Sequence, residues 1–219
     1  MSTKWKVITP VEIEPITLSA AKAYLRVDFD DDDLTIARLI SRARSEAETI
    51  TGRAMATQQI QVIETIERPI GGVLSGPIDQ APNWYQFQEM LGANPFGPAQ
   101  FYFDLPMPPV QSAQPITVQT KITAFDTWTN FAITPPATWL DDTSEPARFY
   151  FQTPVTANFY KFTYYAGYDA VNSYAIPWDL MQPMLELVAY FYQYREGSGG
   201  PGQLQEIQNK LLTKRVSWV

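Results

Sequence analysis

The sequence predicts an α+β chain. An N-terminal helical hairpin and a long C-terminal helix pack together, an antiparallel β-sheet region lies between them, and a hinged C-terminal arm follows. Three observations carry this. Apolar residues recur at helical spacing within Leu18–Gly52 and again within Ile176–Gly197. Between those stretches they alternate in short runs bounded by turn residues. Finally, Ser198-Gly199-Gly200-Pro201-Gly202 separates a last short helical stretch from everything before it. The expected organisation is one domain over 1–202, with helical parts 17–52 and 178–197 and a β part 57–165, then an arm over 203–219.

Met1–Thr17 is extended, because Pro10 and Pro15 block a helix. Thr17 is placed to cap a helix over Leu18–Val27, whose apolar face is Leu18, Ala21 and Leu25. An acidic run follows, Asp28-Phe29-Asp30-Asp31-Asp32-Asp33. A calcium loop of the EF-hand kind needs glycine at its sixth position and glutamate at its twelfth. Counted from Asp28 those positions hold Asp33 and Leu39, so the pattern fails. The run is expected instead to cap the next helix, where carboxylates meet the positive end of the helix dipole. That helix spans about Asp32–Thr51, with Ile36, Ile40, Ala43, Ala47 and Ile50 on one face and Gly52 as its stop. Arg42–Glu46 and Arg44–Glu48 are spaced for ion pairs on its outside.

Thr57–Ile66 alternates as a strand. Pro69–Pro98 has no steady period and is rich in glycine, proline and aromatic residues, so it is read as a long insertion. Strands are then predicted over Gln100–Leu105, Ile116–Phe125, Ala137–Asp141, Ala147–Phe151 and Asn158–Tyr165.

The long helix is expected to start near Asp179 and to stop at Gly197. Leu180, Met184, Leu187, Phe191 and Tyr194 make one face, and Gln182, Glu186, Tyr190 and Gln193 a narrow polar stripe. A helix this apolar must be covered on several sides. It is either a central core helix or one shared between a core and a neighbouring subunit. Pro183 lies in the first turn or kinks the helix. Gln203–Leu212 is a short helix, and the tail TKRVSWV either reaches a partner or folds back on its own core.

Composition narrows the chemistry. The 219 residues are 45% hydrophobic and 18% charged, which marks a globular chain. There is no cysteine and no histidine. Zinc, blue-copper and haem ligation by their usual residues are excluded, as are Ser-His-Asp and Cys-His nucleophile systems. No apolar run approaches the roughly 20 residues of a membrane span, and MSTKWKVITP lacks the apolar core of a signal peptide, so no membrane partner is expected. The net charge is −7, and ten acidic against four basic residues lie between 61 and 178. That is not the basic footprint of a nucleic-acid reader, although an acidic surface suits a passage past which DNA slides.

The sequence resembles a known family. Glu14-Pro15-Ile16-Thr17-Leu18, Ala21-Lys22 and Tyr24-Leu25-Arg26-Val27-Asp28 with the acids behind them match its N-terminal pattern. Ile40, Ala43-Arg44, Glu46 and Thr51-Gly52-Arg53 continue it. Leu105-Pro106, Pro109-Val110, Tyr164, Ala166-Gly167-Tyr168, Ile176-Pro177, Tyr192, Arg195-Glu196, Leu211-Leu212, Arg215 and Trp218 recur in order. The family is the head–tail connector, or adaptor, proteins of tailed bacteriophages, of the HK97 gp6-like kind, including gene-transfer-agent adaptors. Pro69–Pro98 and Pro183 depart from its pattern.

The resemblance implies a structural protein without enzymatic activity or cofactor. It implies a homo-oligomeric ring, dodecameric in the virion, below the portal protein, assembled in the host cytoplasm and placed in the neck. Tail, stopper or tail-terminator proteins would be its other partners, and double-stranded DNA would pass through without specific binding. Lys214, Arg215 and Trp218 are the expected portal-docking residues, Asp30, Asp31, Asp32 and Asp33 the channel-facing acids, and Leu187, Phe191 and Tyr194 the subunit interface. A second class stays open: a carbohydrate-binding or glycan-processing protein using the aromatic insertion and the carboxylates Asp141, Asp142 and Glu145. Those carboxylates also read as a turn between strands.

Overall fold

The N-terminal hairpin forms where its caps dictate. In the computed structural model, which describes residues 2–65, 101–133, 138–151, 157–169, 175–194 and 201–216, α1 spans Leu18–Leu25. The Thr17 hydroxyl accepts from the Ala20 amide at 3.2 Å, as its capping position demands. The helix ends before Val27, because Arg26 takes a left-handed conformation and turns the chain. Helix α2, Asp33–Thr51, buries Ile36, Ile40, Ala43 and Ala47 and stops at Gly52, whose φ is 68°. Expectations on 69–98, on Arg195, Gly197 and the 198–200 hinge, and on Trp218 lie outside the described residues.

Helix α3, Trp178–Gln193, is continuous through Pro183, which is buried in its second turn. The missing proline N–H falls opposite the Asp179 carbonyl, close to the helix start, so little of the ladder is lost. Tyr190, expected on the polar stripe, is buried instead; its ring lies 5.9 Å from Phe191 and 4.9 Å from Tyr194. Helix α4, Pro201–Leu212, begins two residues earlier than expected, with proline at its first position, where an absent N–H costs nothing. Ile207 and Leu211 join Ile40, Ala43, Met184 and Leu187 in one apolar cluster. All four helices of the described residues share that cluster.

Among the described residues, eight strands form two antiparallel sheets. They are β1 (Ser2–Thr9), β2 (Gln58–Thr65), β3 (Phe101–Leu105), β4 (Thr117–Lys121), β5 (Thr129–Phe131), β6 (Thr138–Asp141), β7 (Ala147–Phe151) and β8 (Phe159–Ala166). The larger sheet runs β1-β2-β8-β4-β5 and the smaller β3-β7-β6. The N-terminal segment, expected to be extended, is a paired edge strand on β2. The strand expected to reach Phe125 stops at Lys121, and a turn follows in which the Asp126 carboxylate accepts from the Thr123 amide at 2.6 Å.

A second apolar cluster fills the space between the sheets. Phe103 lies 4.7 Å from Tyr160 and 5.1 Å from Phe162, ring centre to ring centre. Each such buried ring contributes about 1.5–3 kcal/mol through burial alone. The Tyr164 hydroxyl, fully enclosed, donates to the Pro106 carbonyl at 2.6 Å.

Candidate assembly surfaces

The acidic run is built at the mouth of the hairpin, and one lysine organises it. Lys22 on α1 reaches across to Asp30 at 2.7 Å and Asp33 at 2.6 Å. Those contacts raise the Lys22 pKa, and the Lys22 hydrogen bond lowers that of Asp30. Asp32 occupies the cap position of α2 without a capping hydrogen bond from its side chain. Its carboxylate accepts instead from the Tyr192 hydroxyl of α3 at 2.6 Å. Only Asp33 follows the expected logic, as a carboxylate in the first turn of α2. Phe29 and Leu34, both exposed, flank these acids. The run is thus a mixed surface, with two of its five aspartates matched by one cation.

The C-terminal arm folds back onto the core as far as it is described. The Val216 amide donates to the Thr51 carbonyl at 2.9 Å, and Val216 is buried. The Lys214 ammonium pairs with Asp179 at the start of α3 and lowers that carboxyl's pKa. Arg215 is exposed. Trp178 and Leu212, two large exposed apolar side chains, lie beside that pair in the sequence. The expected docking set therefore divides: Lys214 is tied to its own chain and Arg215 is turned outward.

Arg53 holds this corner together. Its Nε donates to the Lys214 carbonyl at 2.9 Å, and its other nitrogens make a two-pronged contact with Glu145, one prong at 2.7 Å. The Glu145 carboxyl is held low by that hydrogen bond. One guanidinium so ties the hairpin's end, the arm and the turn before β7. Nothing in the spacing of the sequence joins Arg53 to Glu145, ninety-two positions away. The only trace was the Thr51-Gly52-Arg53 motif itself.

Leu187 and Phe191 are buried against the chain's own helices, with the Arg42 guanidinium 3.9 Å above the Phe191 ring. Tyr194 is half-buried. The apolar side chains Leu187 and Phe191, expected at a subunit boundary, are thus enclosed within the chain's own fold. Arg42 is drawn to Phe191 while Glu46 accepts from Gln208 of α4, so of the two expected ion pairs only Arg44–Glu48 forms, at 2.9 Å.

The glycan-processing alternative needed a free pair of carboxylates. Asp141 is instead the anchor of a turn, accepting from the Thr143 amide at 3.0 Å and hydroxyl at 2.6 Å, and Glu145 is bound by Arg53. Among the described residues no group of three or more acidic side chains is placed to hold a metal ion, and no helix is long and apolar enough to cross a membrane.

This combination defines a class by its fold: an α+β module, with a helical part stapled by its own arm to a two-sheet part. Residues 15–80 match the model of the phage gp6-like head-tail connector protein family, which includes the whole helical hairpin. The fold is also that of chains in solved gene transfer agent (GTA) particles. A chain in the neck of an empty GTA particle, computed with C6 symmetry, superposes with a TM-score of 0.63 at 17% identity, covering 99% of this chain and 97% of that one. A chain in the virion of a native GTA particle gives 0.63 at 18% identity, covering 98% and 96%. A third, in the neck of the native particle computed with C12 symmetry, gives 0.57 at 18% identity, covering 99% and 97%. Among curated proteins none matches the chain. The resemblance read from Glu14 to Arg53 and the α+β fold class are both borne out.

Proposed function

We propose that the chain is a structural head-to-tail connector that forms a ring below the portal of a tailed particle and continues the DNA channel towards the tail. The observation that carries this reading is a coincidence of two independent likenesses. The gp6-like match falls on the hairpin, and the neck-protein fold extends over essentially the whole chain. The protein would reside in the neck, with the portal on one side, tail or stopper proteins on the other, and copies of itself around the ring. Twelve copies would suit the C12 symmetry of the neck that contains one of its structural neighbours. Its role is assembly rather than catalysis, since the candidate acids Asp141 and Glu145 serve the fold.

Within this reading Arg215, and Trp218 beyond it, dock on the portal, while Lys214 sets the arm in place through Asp179. Tyr194 and the exposed Phe29 and Leu34 supply contacts between copies. Asp30–Asp33 face the channel as a surface only partly neutralised by Lys22.

The test is co-assembly. The full chain is mixed with the portal of its own particle and imaged by electron microscopy, with Arg215→Glu in parallel. Cutting the chain after Gly202 is unsuitable, because it strips Ile207 and Leu211 from the core. The expected result is a ring on the portal, weakened or lost in Arg215→Glu. A ring indifferent to that substitution removes the arm from docking, and no ring with the wild-type chain overturns the connector reading.

A further inference from the structure

The larger sheet has two unlike faces. Its inner face carries Ile60, Val62, Phe162 and Tyr164 into the core. Its outer face carries a group of lysines whose positions follow from register. Lys4 of β1 lies opposite Ile63 of β2, Ile63 lies opposite Lys161 of β8, and Lys161 lies opposite Gln119 of β4. Partners across strands share a face, and so do residues two apart along a strand. Lys6 and Lys121 therefore join Lys4 and Lys161 there. Adjacent strands are about 4.8 Å apart, which puts Lys4 and Lys161 about 10 Å from each other; the diagonal from Lys161 to Lys121 is about 7–8 Å.

No aspartate or glutamate stands among the described strand residues of that face, although acids outnumber bases 23 to 16 in the chain. Lysines commonly guard an exposed sheet edge, which accounts for Lys4 and Lys6 on β1. It does not account for Lys161 on β8, the middle strand of the sheet. Among the described residues no ion pair engages Lys4, Lys6, Lys121 or Lys161. Lys121 and Lys161 both approach the Trp128 ring, at 4.9 Å and 4.5 Å. Burial and then the like charges of Lys121 and Lys6 lower the Lys161 pKa, so these cations repel one another; Asp126, near Lys121, offsets part of that charge. The acid close by, Asp126, is held by the Thr123 amide in the β4–β5 turn.

We propose that this lysine face is the surface the chain presents to the phosphate backbone of duplex DNA, by charge alone and without base reading. The proposal rests on the connector reading and deepens it, since beside the acidic run of the hairpin it names a cationic surface that the passing DNA meets. A row of ammonium groups on a polar sheet, engaged by no ion pair among the described residues, is complementary to a regular row of phosphates. Lysine is a point charge on a flexible stem, suited to a moving polyanion rather than to one fixed geometry. Four phosphate contacts give a log–log salt slope near about −3.6, so binding weakens about a hundredfold between 50 and 200 mM salt and stays readily reversible.

The experiment is a fluorescence-anisotropy titration of a labelled duplex of random sequence with the full chain at both salt concentrations. The Lys121→Gln/Lys161→Gln double variant runs alongside. The wild type is expected to bind at the lower salt and to lose about a hundredfold affinity at the higher, and the variant, with two contacts left, to lose only about tenfold. Absence of duplex binding at 50 mM salt, or an unchanged slope in the variant, overturns the proposal. So does a variant that loses self-association in sedimentation while DNA binding stays the same, because the face then belongs to an acidic surface of a second copy. Portal co-assembly of the wild type separates the two levels: a ring with no lysine-dependent DNA contact sinks this inference alone, whereas no ring sinks the connector reading beneath it.

Discussion

Gly167→Ala should be far more damaging than an ordinary glycine substitution. Gly167 follows β8 directly and has a φ of 110°, a region that side chains rarely enter. A Cβ built there would stand 2.0 Å from the Ala56 carbonyl oxygen and 2.4 Å from its carbon. Both are backbone atoms of a fully buried residue just ahead of β2, so no flexible side chain can give way. Restoring ordinary contact requires the two backbones to part by about 1.4 Å in a close-packed interior. That movement pulls on the Gly167 amide, which donates to Pro109 at 2.8 Å, and on its carbonyl, which accepts from Gln111 at 2.9 Å. Positive φ costs about 1–3 kcal/mol and each of the two buried hydrogen bonds left unmade about 1–3 kcal/mol more, so the loss is at least about 3 kcal/mol. For a chain of this size that lowers Tm by about 6 °C or more, or prevents folding, since total stability is about 5–15 kcal/mol. Gly52→Ala is the control: its φ is also positive, at 68°, but nothing lies within 4 Å of the added carbon. It should cost about 1 kcal/mol and about 2–4 °C. Thermal unfolding of both variants by circular dichroism reads the contrast. Equal drops would refute the argument, because backbone crowding would then count for nothing beyond φ.

Three further outcomes are expected. Arg53→Met removes the Lys214 carbonyl contact and the Glu145 pair, and should cost about 2–4 kcal/mol with faster hydrogen exchange in the arm; Glu145→Gln, at a half-exposed partner, should cost less than about 1 kcal/mol. Tyr164→Phe strips the donor from the enclosed Pro106 carbonyl and should cost about 1–3 kcal/mol in urea unfolding, without a change in m-value. Glu64 is buried, and burial raises its pKa against an opposing hydrogen bond with Thr3, so the folded chain holds that proton more tightly than the unfolded one. Its contribution therefore favours folding at low pH and is lost as pH rises through the folded pKa. Glu64→Gln should stabilise by up to about 1 kcal/mol at pH 7 and by nothing below about pH 4, where the wild-type carboxyl is protonated in both states.

Local signals were legible where local physics decides. Thr17, Gly52 and the alanine spacing of α2 fixed the hairpin, because caps and helical periodicity act within a few residues. Ala147–Phe151 was readable because its alternation matches a strand buried on one face. Pairing was not readable. The N-terminal segment could be read as extended, but its partner begins at Gln58, and nothing near Trp5 announces it. β5, three residues long, has no period to detect. Tyr190 carries a hydroxyl and was assigned to the polar stripe, yet its ring follows the apolar cluster. The assembly surfaces suffered most. An acidic run looks uniform in sequence, whereas Lys22 divides it in space. The lysine face draws residues from β1, β4 and β8, and exists only once the register is known.

The Val216–Thr51 contact also has a mechanical meaning. A pull applied at residue 216 meets the last carbonyl of α2 directly, rather than first drawing out slack. Through Arg53 the same pull is shared with Glu145 and hence with the smaller sheet. Lys214 passes another part of it to the first turn of α3. Residues 214–216 are anchored like a cable with three attachments, so tension there should register as rigidity across both the helical and the sheet part before any one element peels away.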